Sequence, residues 1–130
     1  MYALDTNSLS CFLKGHGRVG ERLLAQPPAK VGLPSVVLYE LAYGAARSQA
    51  PPDLKARLEA LLRSFPILPF GEAEARVAAR IRADLESVGK PIGPHDILIA
   101  ATALAHGATL VTRNLRELRR VKGLVLEDWY

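Results

Sequence analysis

The sequence has 130 residues, of which 49% are hydrophobic and 6% aromatic, so we expect one domain spanning residues 1–130 with an aliphatic core. Its 17 basic and 13 acidic side chains give a net charge of +4, which suits a polyanion such as nucleic acid and equally suits ordinary solubility. No apolar run reaches the length of a membrane span, and no secretory leader or membrane association is expected. The single cysteine, Cys11, excludes an internal disulfide and favours a cytoplasmic location.

Short apolar runs alternate with helical patterns along the chain. The runs that predict strands lie at Tyr2–Leu4, Val31–Leu33, Ile67–Leu68, Thr109–Val111 and Val125–Leu126. Apolar side chains at i, i+3, i+4, i+7 spacing predict helices at Ser8–Leu13, Val19–Leu24, Ser35–Ala45, Leu54–Phe65, Val77–Val88 and Pro94–Ala105. Ser8 and Ser35 are expected to cap their helices, and a short basic helix should follow Asn114. This alternation is typical of a parallel α/β sandwich.

Polar residues that follow the predicted strands are the first candidates for a site. In an open parallel sheet, ligands bind beyond the carboxyl ends of the strands. Asp5 directly follows the first strand, and Asn114 follows the Thr109–Val111 strand. Glu40 and Asp96 lie in the first turns of two predicted helices, whose N-termini face the same edge. We therefore expect four polar side chains from distant parts of the chain to converge.

Carboxylates that converge in this way favour a bound divalent cation. Three negative charges within a few ångströms repel one another, and without compensation at least one of them would take up a proton. A cation such as Mg²⁺ removes this repulsion, activates water and stabilises charge on a phosphoryl group. Clustered acidic side chains surrounded by basic residues therefore suggest phosphodiester hydrolysis.

Each candidate also has a structural alternative. Asp5 fits a turn residue or a helix cap, and Asp96 fits a residue that complements a helix dipole. Glu40 fits an exposed helix face, and Asn114 fits a structural turn. His95 is either a general base or a helix-start residue. The hypothesis of a site therefore depends on the joint placement of the candidates.

Four segments match one set of known motifs in order and spacing. The opening Tyr2–Asn7 contains Leu-Asp-Thr-Asn, and Ser35–Gly44 contains a glutamate and a glycine. Gly93–Leu104 has a central aspartate, and Leu110–Leu118 supplies the fourth segment. Together these segments resemble the motifs of PIN-domain ribonucleases, in particular those of the VapC toxin family. The resemblance covers essentially the whole chain.

The resemblance implies a three-layer α/β/α fold with a central parallel sheet. It also implies an endoribonuclease that depends on Mg²⁺ or Mn²⁺. By matching position, Asp5, Glu40 and Asp96 would form the acidic metal centre, with Asp5 and Asp96 as the foremost direct ligands. Thr6 or Asn7 would support those ligands.

The chain departs from the family pattern at Asn114, where many PIN domains have an aspartate. Asparagine can coordinate through its carbonyl oxygen or orient a water, so Asn114 is counted with the three acids as a catalytic residue. Because it lacks the charge, we expect one firmly bound ion and leave a second ion open. Glu117, a helical turn further on, either compensates or points elsewhere.

The family also implies partners. These are an RNA substrate, a VapB-like antitoxin whose C-terminal segment blocks the site, and a second copy in a homodimer. The helices Leu38–Ala45 and Leu54–Phe65 are candidate surfaces for the antitoxin, or they simply pack on the core. A basic set either contacts RNA phosphates or forms a solvated face, and comprises Arg113, Arg116, Arg119, Arg120 and Lys122.

Three other classes of protein remain as alternatives. Gly15–Gly20 fits the G-x-G-x-x-G expression of a dinucleotide-binding module, but a true fingerprint follows the first strand and opens a long helix. A phosphotransfer domain with Asp5 as its nucleophile would carry an acid where Asn7 stands. An inactive binding protein on the same fold is the third alternative, and the intact acids speak against it.

Overall fold

A parallel sheet of short strands lies at the centre of the molecule. The computed structural model describes residues 1–49 and 51–130, and within these ranges the strands are β1 (Tyr2–Leu4), β2 (Val31–Pro34), β3 (Ile67–Leu68), β4 (Thr109–Val111) and β5 (Leu126–Glu127). Their order in the sheet is β3-β2-β1-β4-β5, and every neighbouring pair is parallel. The predicted strands are confirmed, except that β2 ends one residue later than expected and β5 is shifted by one residue.

The strand order creates a crevice beside β1. The chain moves outward on one side through β2 and β3, and then crosses to the other side for β4 and β5. Tyr2 accordingly pairs with Val31 on one side and with Thr109 on the other. Parallel sheets bind ligands at the carboxyl ends of their strands where the strand order reverses. That point lies between β1 and β4, where Asp5 and the turn after Val111 border it.

Helices cover both faces of the sheet and complete a three-layer α/β/α sandwich, as predicted. In the described ranges they are α1 (Thr6–Lys14), α2 (Val19–Leu24), α3 (Ser35–Arg47), α4 (Pro52–Ser64), α5 (Glu72–Ser87), α6 (Pro94–Ala105) and α7 (Leu115–Leu118), with a 3-10 turn at Pro28–Lys30. Among these described helices, none has the length and apolar character needed to cross a membrane.

The predicted caps of two helices are wrong. Asp5, not Ser8, caps α1: its Oδ1 accepts the Ser8 amide at 2.8 Å, so Ser8 lies inside the first turn. Ser35 is the first residue of α3, and Pro34 takes the cap position without a side-chain hydrogen bond. Helix α1 begins at Thr6, two residues before its predicted start, because apolar spacing marks the buried face of a helix and not its first turn, whereas α3 begins at the predicted Ser35.

The core is aliphatic, as the composition predicts, with α6 at its centre. Ala100, Ala101 and Ala103 of α6 are fully buried, and α6 packs against α5. One aromatic residue joins the core from the C-terminal segment. Trp129 is 2% exposed, and its ring meets that of Tyr2 edge-on with 5.0 Å between centroids.

Candidate active site at the sheet edge

Asp5 stands in the crevice directly after β1 and is 5% exposed. Its Oδ1 is occupied by the Ser8 amide, and its own amide donates to the Val111 carbonyl at 3.1 Å, which ties the start of α1 to the end of β4. Burial raises the pKa of Asp5, hydrogen bonds from Thr112 and Ser8 oppose this rise, and the charge of Glu40 adds to it. Asp5 is therefore a helix cap and a border residue of the crevice at once.

Glu40 lies in the second turn of α3, not the first, and both of its carboxylate oxygens have a neighbour. Thr6 Oγ1 donates to Oε1 at 2.8 Å, and His95 Nδ1 lies 3.4 Å from Oε2. Thr6 thus orients Glu40, whereas Asn7 is exposed and lines a separate surface cavity. His95 is at a helix start, as one alternative had it, and it also touches an acid of the cluster.

Asp96 is half-buried in the first turn of α6 and lies among other acids. The Asn114 amide nitrogen is 3.4 Å from Asp96 Oδ2 and 3.2 Å from Glu117 Oε2. Burial raises the pKa of Asp96, and the negative charges of Asp5, Glu117 and Glu40 raise it further, while the hydrogen bond from Asn114 lowers it. The structure therefore brings the four candidate residues into one electrostatic neighbourhood.

Two further residues belong to this neighbourhood. Glu117, left open by the sequence, turns toward Asn114, from which it is separated by three positions on a short helix. That spacing places two side chains on the same helix face, so it is a signal available in the sequence. Thr112 is fully buried and hydrogen-bonds Asp5, and nothing in the sequence distinguishes it from an ordinary turn residue.

The asparagine at position 114 has a physical explanation in this geometry. Its amide group donates toward two carboxylates, Asp96 and Glu117, and so holds them near each other without adding charge. An aspartate here would add a third negative charge and would have no N–H to donate. The departure from the common acidic pattern therefore relieves repulsion within the cluster.

The oxygen donors at the crevice suit a hard divalent cation. Within the described residues, no group of three or more His, Cys, Asp or Glu side chains is arranged to hold a metal ion by itself. Mg²⁺, however, is usually held by one or two carboxylates together with water and substrate phosphates. Asp5 and Asp96 repel each other, so a cation between them would lower the free energy of both carboxylates.

The glycine-rich segment does not form a dinucleotide site. Gly15 is the C-cap of α1 with φ of 70°, and Gly20 lies inside α2, which has six residues. The whole of α1 separates this segment from β1, so it is not the first strand-to-helix turn that the fingerprint requires. The predicted alternative of a dinucleotide-binding module is wrong.

Comparison with known proteins assigns the class. The model of the PIN domain family matches residues 2–124, so the chain belongs to the PIN domain family.

Relatives of the VapC type match it over nearly its full length. The tRNA(fMet)-specific endonuclease VapC of Shigella flexneri is 37% identical over 128 residues, which are 98% of this chain and 97% of that protein. Ribonuclease VapC2 of Rickettsia felis is 33% identical over 131 residues, which are 99% and 98% of the two chains. A chain in the crystal structure of DNA-bound VapBC from Salmonella typhimurium superposes with a TM-score of 0.92, at 35% identity, over 99% of this chain and 98% of that one.

These relatives confirm the family and the nuclease activity that the sequence motifs predict. The alternative of an inactive binding protein finds no support, because the relatives are named as ribonucleases and the acids of the motifs are present here.

Proposed function

We propose that this protein is an endoribonuclease that hydrolyses RNA phosphodiester bonds with Mg²⁺ or Mn²⁺, as the toxin of a toxin–antitoxin pair. One observation carries the proposal for the site. Burial raises the pKa of Asp96, and the charges of Asp5, Glu117 and Glu40 raise it further, so a divalent cation would compensate this cluster. In this proposal Asp5 and Asp96 hold the ion directly, and residues 1–130 act as one catalytic domain.

The remaining side chains orient the reacting groups. A bound divalent ion would polarise a phosphoryl oxygen and lower the pKa of a water molecule. Thr6 fixes Oε1 of Glu40, and Oε2, which lies next to His95, would orient the attacking water and accept its proton. The Asn114 amide contacts both Asp96 and Glu117 and so holds the two carboxylates close to each other. The buried Thr112 and Ser8 prevent Asp5 from rotating out of the crevice.

A cleavage assay with two charge-neutral variants tests this site. Purified protein should cleave RNA with Mg²⁺ or Mn²⁺, and a chelator should stop it. Asp5→Asn and Asp96→Asn should each lower the rate at least about 100-fold, because removal of a ligand that acts in the transition state costs several kcal/mol. Circular dichroism and thermal unfolding serve as controls for the fold. Wild-type cleavage rates in both variants would overturn the assignment.

We infer that the substrate class is transfer RNA. Two relatives, from Shigella flexneri and Salmonella typhimurium, are named tRNA(fMet)-specific endonucleases and match 98% of this chain. Incubation of the protein with total RNA, followed by mapping of new 5′ ends, should place the cuts in initiator tRNA. Cuts spread over messenger and ribosomal RNA at equal rates would contradict this inference.

The antitoxin has a candidate groove. The two helices that the sequence offered for this partner, α3 and α4, border a cavity of about 420 Å³ together with α1. Leu41, Leu54 and Leu58 line it, and Glu40 stands at its edge, so a segment lying in the groove would reach the acid cluster. The neighbouring solved structures include toxin–antitoxin complexes such as VapBC from Salmonella typhimurium. We propose that this groove binds the antitoxin. We also propose that the toxin is a homodimer in the cytoplasm.

A matched pair of substitutions tests the groove. Ala45→Glu places a charge among the lining residues, and Ala56→Glu places one on the exposed side of α4. Coexpression with the antitoxin from the adjacent reading frame should give a complex with Ala56→Glu and little complex with Ala45→Glu. Light scattering of the purified toxin measures the homodimer in the same experiment.

A further inference from the structure

A polar cavity lies between α1 and the turn after β4. It has a volume of about 340 Å³ and is lined by Asn7, Ser10, Cys11, Lys14, His16 and Arg113. Asn7 lies in the first turn of α1 just after Asp5, and Arg113 directly precedes Asn114. The cavity is therefore anchored to the same two chain segments that carry the crevice, but its charged side chains are cationic instead of acidic.

The guanidinium of Arg113 is held by an aromatic stack. Its central carbon lies 3.5 Å from the centroid of the Tyr130 ring. The Tyr130 ring in turn packs on Gly17, where an added Cβ would come within 2.6 Å of the ring carbon Cδ2. The Tyr130 carbonyl accepts a hydrogen bond from the Arg18 amide at 3.2 Å, which fixes the backbone of this segment. Arg113 is thus oriented although it is exposed.

The cations of this cavity have no acidic partner. Across residues 1–49 and 51–130, neither Lys14 nor Arg113 takes part in an ion pair. Other exposed arginines do, since Arg76 pairs with Glu72 at 3.1 Å and Arg82 with Glu86 at 2.9 Å. A stacked guanidinium keeps its N–H edge free, and that edge suits the oxygens of a phosphate.

We propose that this cavity is a phosphate subsite for the nucleic acid strand that passes through the crevice. Lys14 and Arg113 would contact a phosphodiester flanking the one that is cut, and Tyr130 would act as a positioning residue for Arg113. The assignment of the strand as RNA rests on the proposed function. Binding of a polyanion requires these cations, because the acid cluster repels the phosphates of the strand. Two cations near the cluster offset that repulsion.

Binding to a cleavage-deficient protein tests the subsite. In the Asp96→Asn background, the affinity for a fluorescein-labelled single-stranded RNA of mixed sequence is measured by anisotropy over a range of salt concentrations. Lys14→Ala and Arg113→Ala should each weaken binding by about five- to tenfold and reduce the slope of log affinity against log salt by about 0.7. The control, Arg76→Ala, makes the same charge change on α5. If it weakens binding equally, the proposal is overturned in favour of diffuse attraction.

The stack has its own matched controls. Tyr130→Ala should weaken RNA binding nearly as much as Arg113→Ala, and Tyr130→Phe, which keeps the ring, should restore it. Gly17→Ala would displace the ring, whereas Gly15→Ala carries similar strain, at φ of 70° against 65°, with no atom within 4 Å of the new Cβ. Only Gly17→Ala should therefore lose affinity. Equal affinities in these two variants would remove Tyr130 from the proposal.

Kinetics separate this proposal from the proposed function. With the cleaving protein, Arg113→Ala should raise KM by more than it lowers kcat, because the subsite binds substrate and transition state alike. If wild-type protein cleaves no RNA, the proposed function fails while the binding experiment still decides the subsite. If the wild type cleaves RNA and both alanine variants keep its affinity and KM, the subsite fails alone.

Discussion

Asp5 and Asp96 face the same crevice but are held in opposite ways. Asp5 is almost fully buried and accepts hydrogen bonds from Ser8 and Thr112, which are part of the local fold. Asp96 is half-buried, has one amide contact at 3.4 Å and feels the charge of three other acids. Asp5 is thus fixed by hydrogen bonds of the local fold, whereas Asp96 lies among negative charges that the proposed cation would offset. In the proposed function, one side of the site would supply rigidity and the other would favour metal binding.

The largest effect on stability is expected from Asp5→Ala. It removes the cap acceptor of α1 and leaves the Ser8 amide unpaired, which should cost about 1–2 kcal/mol in the free energy of unfolding. Asp5→Asn keeps an acceptor and removes a buried charge, so it should be close to wild type. Urea denaturation in the presence of a chelator measures both.

Alanine at position 96 provides the comparison. Because Asp96 caps nothing and is destabilised by its neighbours, Asp96→Ala should unfold at the same urea concentration as wild type or a higher one. A loss equal to that of Asp5→Ala would mean that the two sides of the site are held alike.

Asn114→Asp tests the electrostatic repulsion around Asp96. A new charge beside Asp96 and Glu117 should lower stability in chelator by about 1 kcal/mol at neutral pH. Added Mg²⁺ should then raise the melting temperature by more than it does for wild type, since binding to the folded state stabilises it. Asn114→Ala, which loses the amide without adding charge, is the control. If Mg²⁺ stabilises all three proteins equally, Asn114 is remote from the ion.

The pH dependence of stability should reveal the raised pKa values of Asp5 and Asp96. Both Asp5 and Asp96 have a raised pKa in the folded protein, so the folded state retains protons that the unfolded chain releases near pH 4. Their contribution to stability is complete below that pH and is lost as the pH rises through the folded-state pKa values. In chelator, the decline above pH 4 should be steeper for wild type than for Asp5→Asn or Asp96→Asn. Parallel curves would remove these two groups as its cause.

Thr6 should show the smallest effect, confined to catalysis. Thr6→Val removes the hydroxyl that donates to Glu40 Oε1 at 2.8 Å and should lower kcat several-fold with little change in KM or melting temperature. Thr6→Ser, which retains the hydroxyl, should recover most of the rate. An unchanged kcat in the valine variant would show that the orientation of Glu40 does not limit the reaction.

The strands, the helices and the convergence of distant acids were predictable because they follow from periodicity and from the rule for parallel sheets. Asp5, Glu40, Asp96 and Asn114 do meet at one edge, with Glu117 added by its helix spacing. The helix caps and the contacts between distant residues depend on three-dimensional packing. The local pattern offered both Asp5 and Ser8 as helix caps and did not decide between them; the structure shows that Asp5 caps α1.

Contacts across long separations in the sequence were the least predictable. Trp129 enters the core beside Tyr2, and Tyr130 stacks on Arg113, although nothing in the C-terminal sequence marks either ring. The positions of both rings depend on the register with which β5 pairs with β4 at the edge of the sheet. A single sequence carries no signal for that register.

The hydrogen bond between Ser8 and Asp5 makes the Ser8 amide a spectroscopic reporter of the crevice. Its proton points at Oδ1 of a carboxylate that would bind the cation in the proposed function. Polarisation of that carboxylate changes the shielding of the amide proton, so the Ser8 cross-peak in a ¹H–¹⁵N spectrum should move during a magnesium titration. The resonance would read ion occupancy directly, without RNA and without turnover.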